Sequence, residues 1–155
     1  MKEMKTMVKN TFITLCALVF ASSVFAQEFD EFSPDTIAFE PDFISAEEVK
    51  KMMDEGRDDF VLVDNAPRMA WEEERIPGSI SYPYVNQIKP PVPLPRNKTL
   101  ILYCPCGPDD ADSIAMARQL RMYGYFRVKI LHGGWFEWLD QGYPVYEKGA
   151  EEENA

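Results

Sequence analysis

Three short apolar runs, FVLVD (60–64), TLILY (99–103) and RVKIL (127–131), are separated by stretches whose apolar residues recur at helical spacing. The first two are continuous rather than alternating, as in strands covered on both faces. Such strands, interleaved with helices, predict an α/β domain with a largely parallel central sheet and helices on both faces. Ser45 followed by Glu48 makes a capping-box pattern ahead of Val49, Met52 and Met53, so a helix is expected there, ending near Gly56. Residues 67–74 suit a short helix with Pro67 in its first turn, and IPGSISYPY suits a turn and a brief strand. The proline-rich KPPVPLPRNK (89–98) can continue neither a helix nor a central strand and reads as a surface connection. A helix is expected from about Ser113 to Tyr123, closed by Gly124, and GGWFEWLDQG suits a turn followed by a short helix. No internal repeat interrupts this order.

A chain of 155 residues with 46% hydrophobic and 13% aromatic side chains matches one ordinary core. Residues 1–26 read as a secretory signal peptide, because Lys2, Lys5 and Lys9 precede the apolar run FITLCALVFASSVFA, and Val24 and Ala26 fit the positions before a cut after Ala26. That run is short for a membrane-spanning helix of about 20 residues. Cys16 follows Leu15 rather than a small residue, which argues against a lipid anchor, and it is expected to leave with the signal. Residues 27–42 then form an acidic lead-in, 43–146 the folded domain and 147–155 a disordered acidic tail. Cleavage leaves 13 basic against 25 acidic side chains, a formal charge of −12. Nucleic acid and anionic membrane surfaces are therefore excluded as partners, and no membrane association is expected after signal cleavage. In the periplasm or outside the cell, an oxidising setting, the remaining Cys104 and Cys106 can form at most one internal disulfide.

Both of these cysteines lie in YCPCGPDDADS (103–113), between the strand TLILY and the following helix. Ligands of a parallel α/β sheet bind beyond the carboxyl ends of its strands, where loops enter helices. Amides at a helix start carry partial positive charge and stabilise a thiolate. Cys104, directly after the strand, is therefore the candidate nucleophile. The competing reading is a small buried residue ending a strand, but packing alone accounts poorly for a loop that also holds Pro105, Cys106, Gly107 and Pro108.

Four pieces of the chain carry a family resemblance: FVLVD with Trp71 seven residues beyond Asp64, then RIPGSISYP, then LILYC, then GYFRVKILHGGWFEWLDQGYPV. Together they resemble the rhodanese-like domain over roughly residues 43–146, and Gly133, Gly134, Trp138, Gly142, Tyr143 and Pro144 fall at the family's spacing. The resemblance implies a sulfurtransferase whose loop cysteine accepts a sulfane sulfur, holds it as a persulfide and delivers it to a nucleophilic acceptor. Carried onto this chain, it makes Cys104 the sulfur carrier, cradled by the amides of Cys106, Gly107 and residues from Asp109 onward. The implied partners are a small sulfane-sulfur donor or thiol acceptor, or a periplasmic protein, and no cofactor is expected.

The chain departs from the family pattern in three ways. The usual Asp-x-Arg after the second strand is Asp64-Asn65-Ala66, with arginine only at Arg68, and the usual histidine before Ile-Pro-Gly is Arg75. The active-site loop, running through Asp109, Asp110, Ala111 and Asp112 to Ser113, is longer than usual, and its aspartates stand where positive charge is customary. Asp110 or Asp112 is expected to cap the helix, while the others repel an anionic donor and raise the thiol pKa, so thiosulfate is expected to be a poor donor. Cys106 completes a Cys-x-Cys pair, reminiscent of a subset of the family, that suits resolution of a persulfide or sulfenate on Cys104 by a disulfide. A thiol–disulfide exchanger and a non-catalytic binding module remain open beside the sulfurtransferase. A metal site of Cys104, Cys106 and His132 is the weakest reading, since His132 precedes a glycine turn that suits a strand end, and no metal is expected. Trp138 is assigned to the core, whereas Trp135, Arg68 and Arg75 are placed at the pocket border.

Overall fold

A computed structural model describes residues 39–149. The signal peptide with Cys16, the lead-in as far as residue 38 and the tail from residue 150 lie outside the described residues. Each apolar run forms a strand: β2 (Phe60–Asp64), β5 (Thr99–Tyr103) and β6 (Val128–Leu131). Shorter strands are β1 (Phe43–Ile44), β3 (Glu74–Arg75), β4 (Ile80–Ser81) and β7 (Tyr146–Glu147). The helices are α1 (Ala46–Asp54), α2 (Arg68–Glu73), α3 (Ala111–Met122) and α4 (Gly134–Asp140). The main sheet runs in the order β1-β6-β5-β2-β4, with every neighbouring pair parallel. No helix among the described residues is long and apolar enough to cross a membrane.

The central strand β5 shows why a continuous apolar run is needed here. Its Ile101 and Tyr103 face one core with Leu62, Val49 and Met52 of α1 and Trp138 of α4. Its Leu100 and Leu102 face the other core with Val63, Ile130 and Met116 and Leu120 of α3. Both faces are covered, and removing one such side chain from water contributes about 1.5–3 kcal/mol. At α1 the Ser45 hydroxyl accepts from the Glu48 amide at 3.1 Å, satisfying one of the free donors of the first turn.

Three features differ from the sequence expectations. The proline-rich crossing has no regular structure, yet it is more than a surface connection: Leu94 is buried, and the Tyr125 hydroxyl is within 3.3 Å and 3.0 Å of the Val92 and Leu94 carbonyls. Its prolines leave carbonyls without strand partners, and a tyrosine from beyond α3 supplies one. Helix α3 starts at Ala111 instead of near Ser113, so Ala111, Asp112 and Ser113 belong to its first turn. At the carboxyl end Glu147, expected in the tail, pairs with Glu74 across the antiparallel β3–β7 ribbon.

Candidate functional site

The carboxyl ends of β2, β5 and β6 bring three connections together: Asn65–Pro67, Cys104–Asp110 and His132–Gly133. Cys104 follows the last residue of β5 and is fully buried. It is joined to Cys106 by a disulfide, with the two Cα atoms 5.3 Å apart, inside the span such bridges need. The Cys104 carbonyl accepts from the Trp135 amide at 3.1 Å, which ties the cysteine to the first turn of α4. Gly134 makes this approach possible: its φ is +53°, and a Cβ there would collide with the Cys104 carbonyl oxygen.

Asp110 occupies the position before α3 but makes no capping hydrogen bond, and its backbone is left-handed at φ 50°. This corrects the expectation that it caps the helix. The left-handed turn sends its carboxyl inward, where it is 1% exposed. There Oδ2 accepts from the Gly133 amide at 3.0 Å and lies 3.4 Å from Nδ1 of the exposed His132. The other oxygen, Oδ1, has no hydrogen-bond partner among the described residues. Burial pushes the Asp110 carboxyl above the usual aspartate range, with the Gly133 amide and His132 opposing the shift. Asp109 is exposed and Asp112 half-buried in the first turn, so the three aspartates occupy three distinct settings. The amides of the first turn of α3, from Ala111 to Ser113, have no intrahelical acceptor. Ser113 is buried and donates to Asn65 Oδ1 at 3.2 Å, while Asn65 Nδ2 donates to the Tyr82 carbonyl at 2.8 Å; Asn65 thus links the ends of β2 and β4 to the start of α3.

Beside the loop lies a cavity of about 80 Å³ lined by Asp64, Ala66, Tyr103 and Trp135, with the exposed Pro105, Ala70 and Glu74 completing it. Asp64 is 2% exposed, its Oδ1 accepts from the Ala66 amide at 2.7 Å, and burial raises its pKa. The Tyr103 and Trp135 rings stack with centroids 6.5 Å apart. The Tyr103 hydroxyl donates to Ser79 Oγ at 3.0 Å and accepts from the Ile76 amide at 3.2 Å, and burial pushes its pKa well above the ordinary tyrosine range.

Trp135 therefore stands at the pocket, but Arg68 and Arg75 do not. Arg68 bonds Glu72 at 3.0 Å. Arg75 lies 4.4 Å and 3.5 Å from the ring centroids of Trp71 and Tyr146 and donates to the Trp71 carbonyl at 3.1 Å, so its place in the β3–β7 ribbon keeps it from the loop. Trp138 is fully buried and donates to the Pro144 carbonyl at 2.9 Å. The described residues contain no group of three or more potential metal ligands. Of the cavity walls, sequence reasoning reached Pro105 and Trp135 and missed Asp64, Ala66, Ala70, Glu74 and Tyr103. Asp64, a carboxylate ending an apolar strand at the ligand-binding edge, carried a readable signal; Glu74 and Ala70 come to the cavity only through the packing of α2.

The family model described as Rhodanese-like domain matches residues 45–141. The chain belongs to the rhodanese-like domain family. Among solved structures, the BH2092 protein from Bacillus halodurans superimposes with a TM-score of 0.62 at 25% identity, covering 73% of this chain and 88% of that one. The rhodanese-like domain of the Alr3790 protein from Anabaena sp. gives 0.56 at 23% identity, covering 70% and 80%. A thiosulfate sulfurtransferase from Pseudomonas aeruginosa gives 0.53 at 24% identity, covering 69% of this chain and 20% of that one, and shares the fold. No curated protein matches the sequence.

Proposed function

We propose that this rhodanese-like protein is an exported sulfurtransferase that carries a sulfane sulfur as a persulfide on Cys104, with thiosulfate a poor donor. The observation that carries the reading is the position of Cys104 between the end of β5 and the loop into α3, bonded to a second cysteine two residues on. In the disulfide form Cys104 cannot act as a nucleophile, so the cycle begins when a thiol reductant supplies two electrons and opens the bridge. The Cys104 thiolate then attacks the outer sulfur of a donor persulfide; a new S–S bond forms, the donor's own S–S bond breaks, and the donor leaves as a thiolate. An acceptor thiolate removes the sulfur. Without an acceptor, Cys106 attacks Sγ of Cys104, expels hydrosulfide and restores the disulfide. Carboxyl groups of Asp64 and Glu74 in the adjacent cavity disfavour a dianionic donor. Export is supported by the amino-terminal charge and hydropathy pattern, and the mass of the protein recovered from the cell envelope or medium checks cleavage after Ala26.

The experiment uses reduced protein, an alkyl persulfide, an organic trisulfide and thiosulfate, with intact mass as the readout. One added sulfur on Cys104 is expected from the persulfide, an alkyl-bearing mixed disulfide or trisulfide from the trisulfide, only a trace from thiosulfate, and none on Cys104→Ser. Absence of an adduct with every donor sinks the proposal. The disulfide favours a second reading, thiol–disulfide exchange through Cys104 and Cys106; a reduction potential below roughly −300 mV, that of inert structural bridges, refutes it.

A further inference from the structure

The cavity beside the cysteine loop presents charge of one sign. Asp64 and Glu74 supply carboxyl groups, Tyr103 and Trp135 supply aromatic faces, and no lysine, arginine or histidine lines it. Among the described residues neither carboxyl has a basic side chain within salt-bridge distance. Asp64 is the unusual member, a nearly buried carboxyl that accepts from the Ala66 amide and sits against the Tyr103 hydroxyl, with no cation among the described residues to compensate it. Buried carboxylates are ordinarily paired, because removing the charge from water is costly. The nearest arginines in sequence are committed elsewhere, Arg68 to Glu72 and Arg75 between Trp71 and Tyr146. Ala66, two residues after Asp64, contributes only a methyl group to the wall, which leaves the space open.

Carboxyl groups and aromatic faces around one small space are the combination that recognises an organic ammonium ion, through direct attraction and through the negative faces of the rings. An anion meets repulsion in the same place. The cavity's volume of about 80 Å³ holds roughly five water molecules, enough for an ammonium head on a short chain. Pro105, between the two cysteines, forms part of its wall, so a ligand seated there ends beside the reactive loop.

Resting on the sulfur-carrier reading, we infer that the acceptor is a small aminothiol whose ammonium group enters this cavity while its sulfur faces the Cys104 loop. The acceptor's thiolate attacks the outer sulfur of the Cys104 persulfide, forming a new S–S bond. The bond between Sγ and that sulfur breaks, Cys104 departs as a thiolate, and the acceptor leaves as an aminoalkyl persulfide. The proton given up by the acceptor thiol passes to solvent, and no further oxidant or reductant is consumed.

The full protein, reduced and loaded with sulfur, is mixed with cysteamine, 2-mercaptoethanol or mercaptoacetate at equal thiolate concentration, and single-turnover transfer is followed. Transfer to cysteamine is expected to exceed that to mercaptoacetate on the order of ten-fold, with the neutral thiol between them. Glu74→Gln, at an exposed wall position, lowers that ratio several-fold, and Ala66→Arg, which places a guanidinium in the space, brings it to about one or below. Equal transfer to all three thiols, or an unchanged ratio in Glu74→Gln, overturns the inference while leaving the carrier reading standing. Binding of S-methylcysteamine against methylthioacetate, measured by calorimetry, needs no sulfur transfer. Selective binding of the amine by a protein that loads no sulfur supports the cavity and sinks the carrier reading; binding of neither compound, or of both equally, overturns the cavity.

Discussion

Asp110 shows how one residue organises the loop. Its left-handed backbone and inward carboxyl hold the Gly133 amide and leave a second oxygen buried without a partner among the described residues. Burial raises its pKa, and burial raises that of Asp64 as well. A carboxyl that keeps its proton longer in the folded state than in the unfolded chain makes folding tightest below the unfolded pKa, and that advantage is lost as pH rises through the raised folded value. Unfolding free energy from urea titrations is therefore expected to decline from the acid side toward neutrality before levelling, and Asp110→Asn, which can still accept from Gly133, should flatten the decline. An unchanged slope refutes this role. Gly134 is the other critical residue: a side chain there meets the Cys104 carbonyl and must hold a positive φ. Gly134→Ala is expected to cost about 2–4 kcal/mol of stability in the same titrations, combining left-handed strain with a backbone clash.

The elements divide by how much of their cause is local. The cap of α1 is local: Ser45 and Glu48 are three residues apart in the chain and bonded in the structure. Ser45→Ala should cost about 1 kcal/mol, measurable as a shift in the urea midpoint with unchanged slope. The long strands β2 and β5 were legible because a strand covered on both faces is apolar along its length, and β6 because apolar residues flank its one lysine. Of the two-residue strands, β4 was anticipated as the brief strand of IPGSISYPY, whereas β1, β3 and β7 were not, since two residues carry no periodicity and pair only where a partner backbone is presented. Arg75 belongs to that second kind. Its sequence neighbours suggest a surface cation near the loop, while the β3–β7 ribbon inserts it between two aromatic rings.

At the scale of the whole molecule, the disulfide spans cysteines two positions apart and so constrains very little of the unfolded chain. On loop-entropy grounds it contributes no more than about 2 kcal/mol, and stability rests on the two cores packed against β5. Reduced and oxidised protein are expected to unfold within about that margin of each other in guanidinium; a much larger difference makes the bridge a structural staple and weakens any redox role. The family, the α/β class and the prominence of Cys104 follow from local pattern, because continuous apolar runs, glycines at turns and a cysteine after a strand are each dictated by their immediate neighbours along the chain. The inward Asp110, the displaced Arg75 and the acidic aromatic cavity made by Asp64, Glu74, Tyr103 and Trp135 do not follow from it. They draw on residues up to 71 positions apart along the chain, and charge and burial at such a place exist only once the sheet edges and helix ends have been packed together.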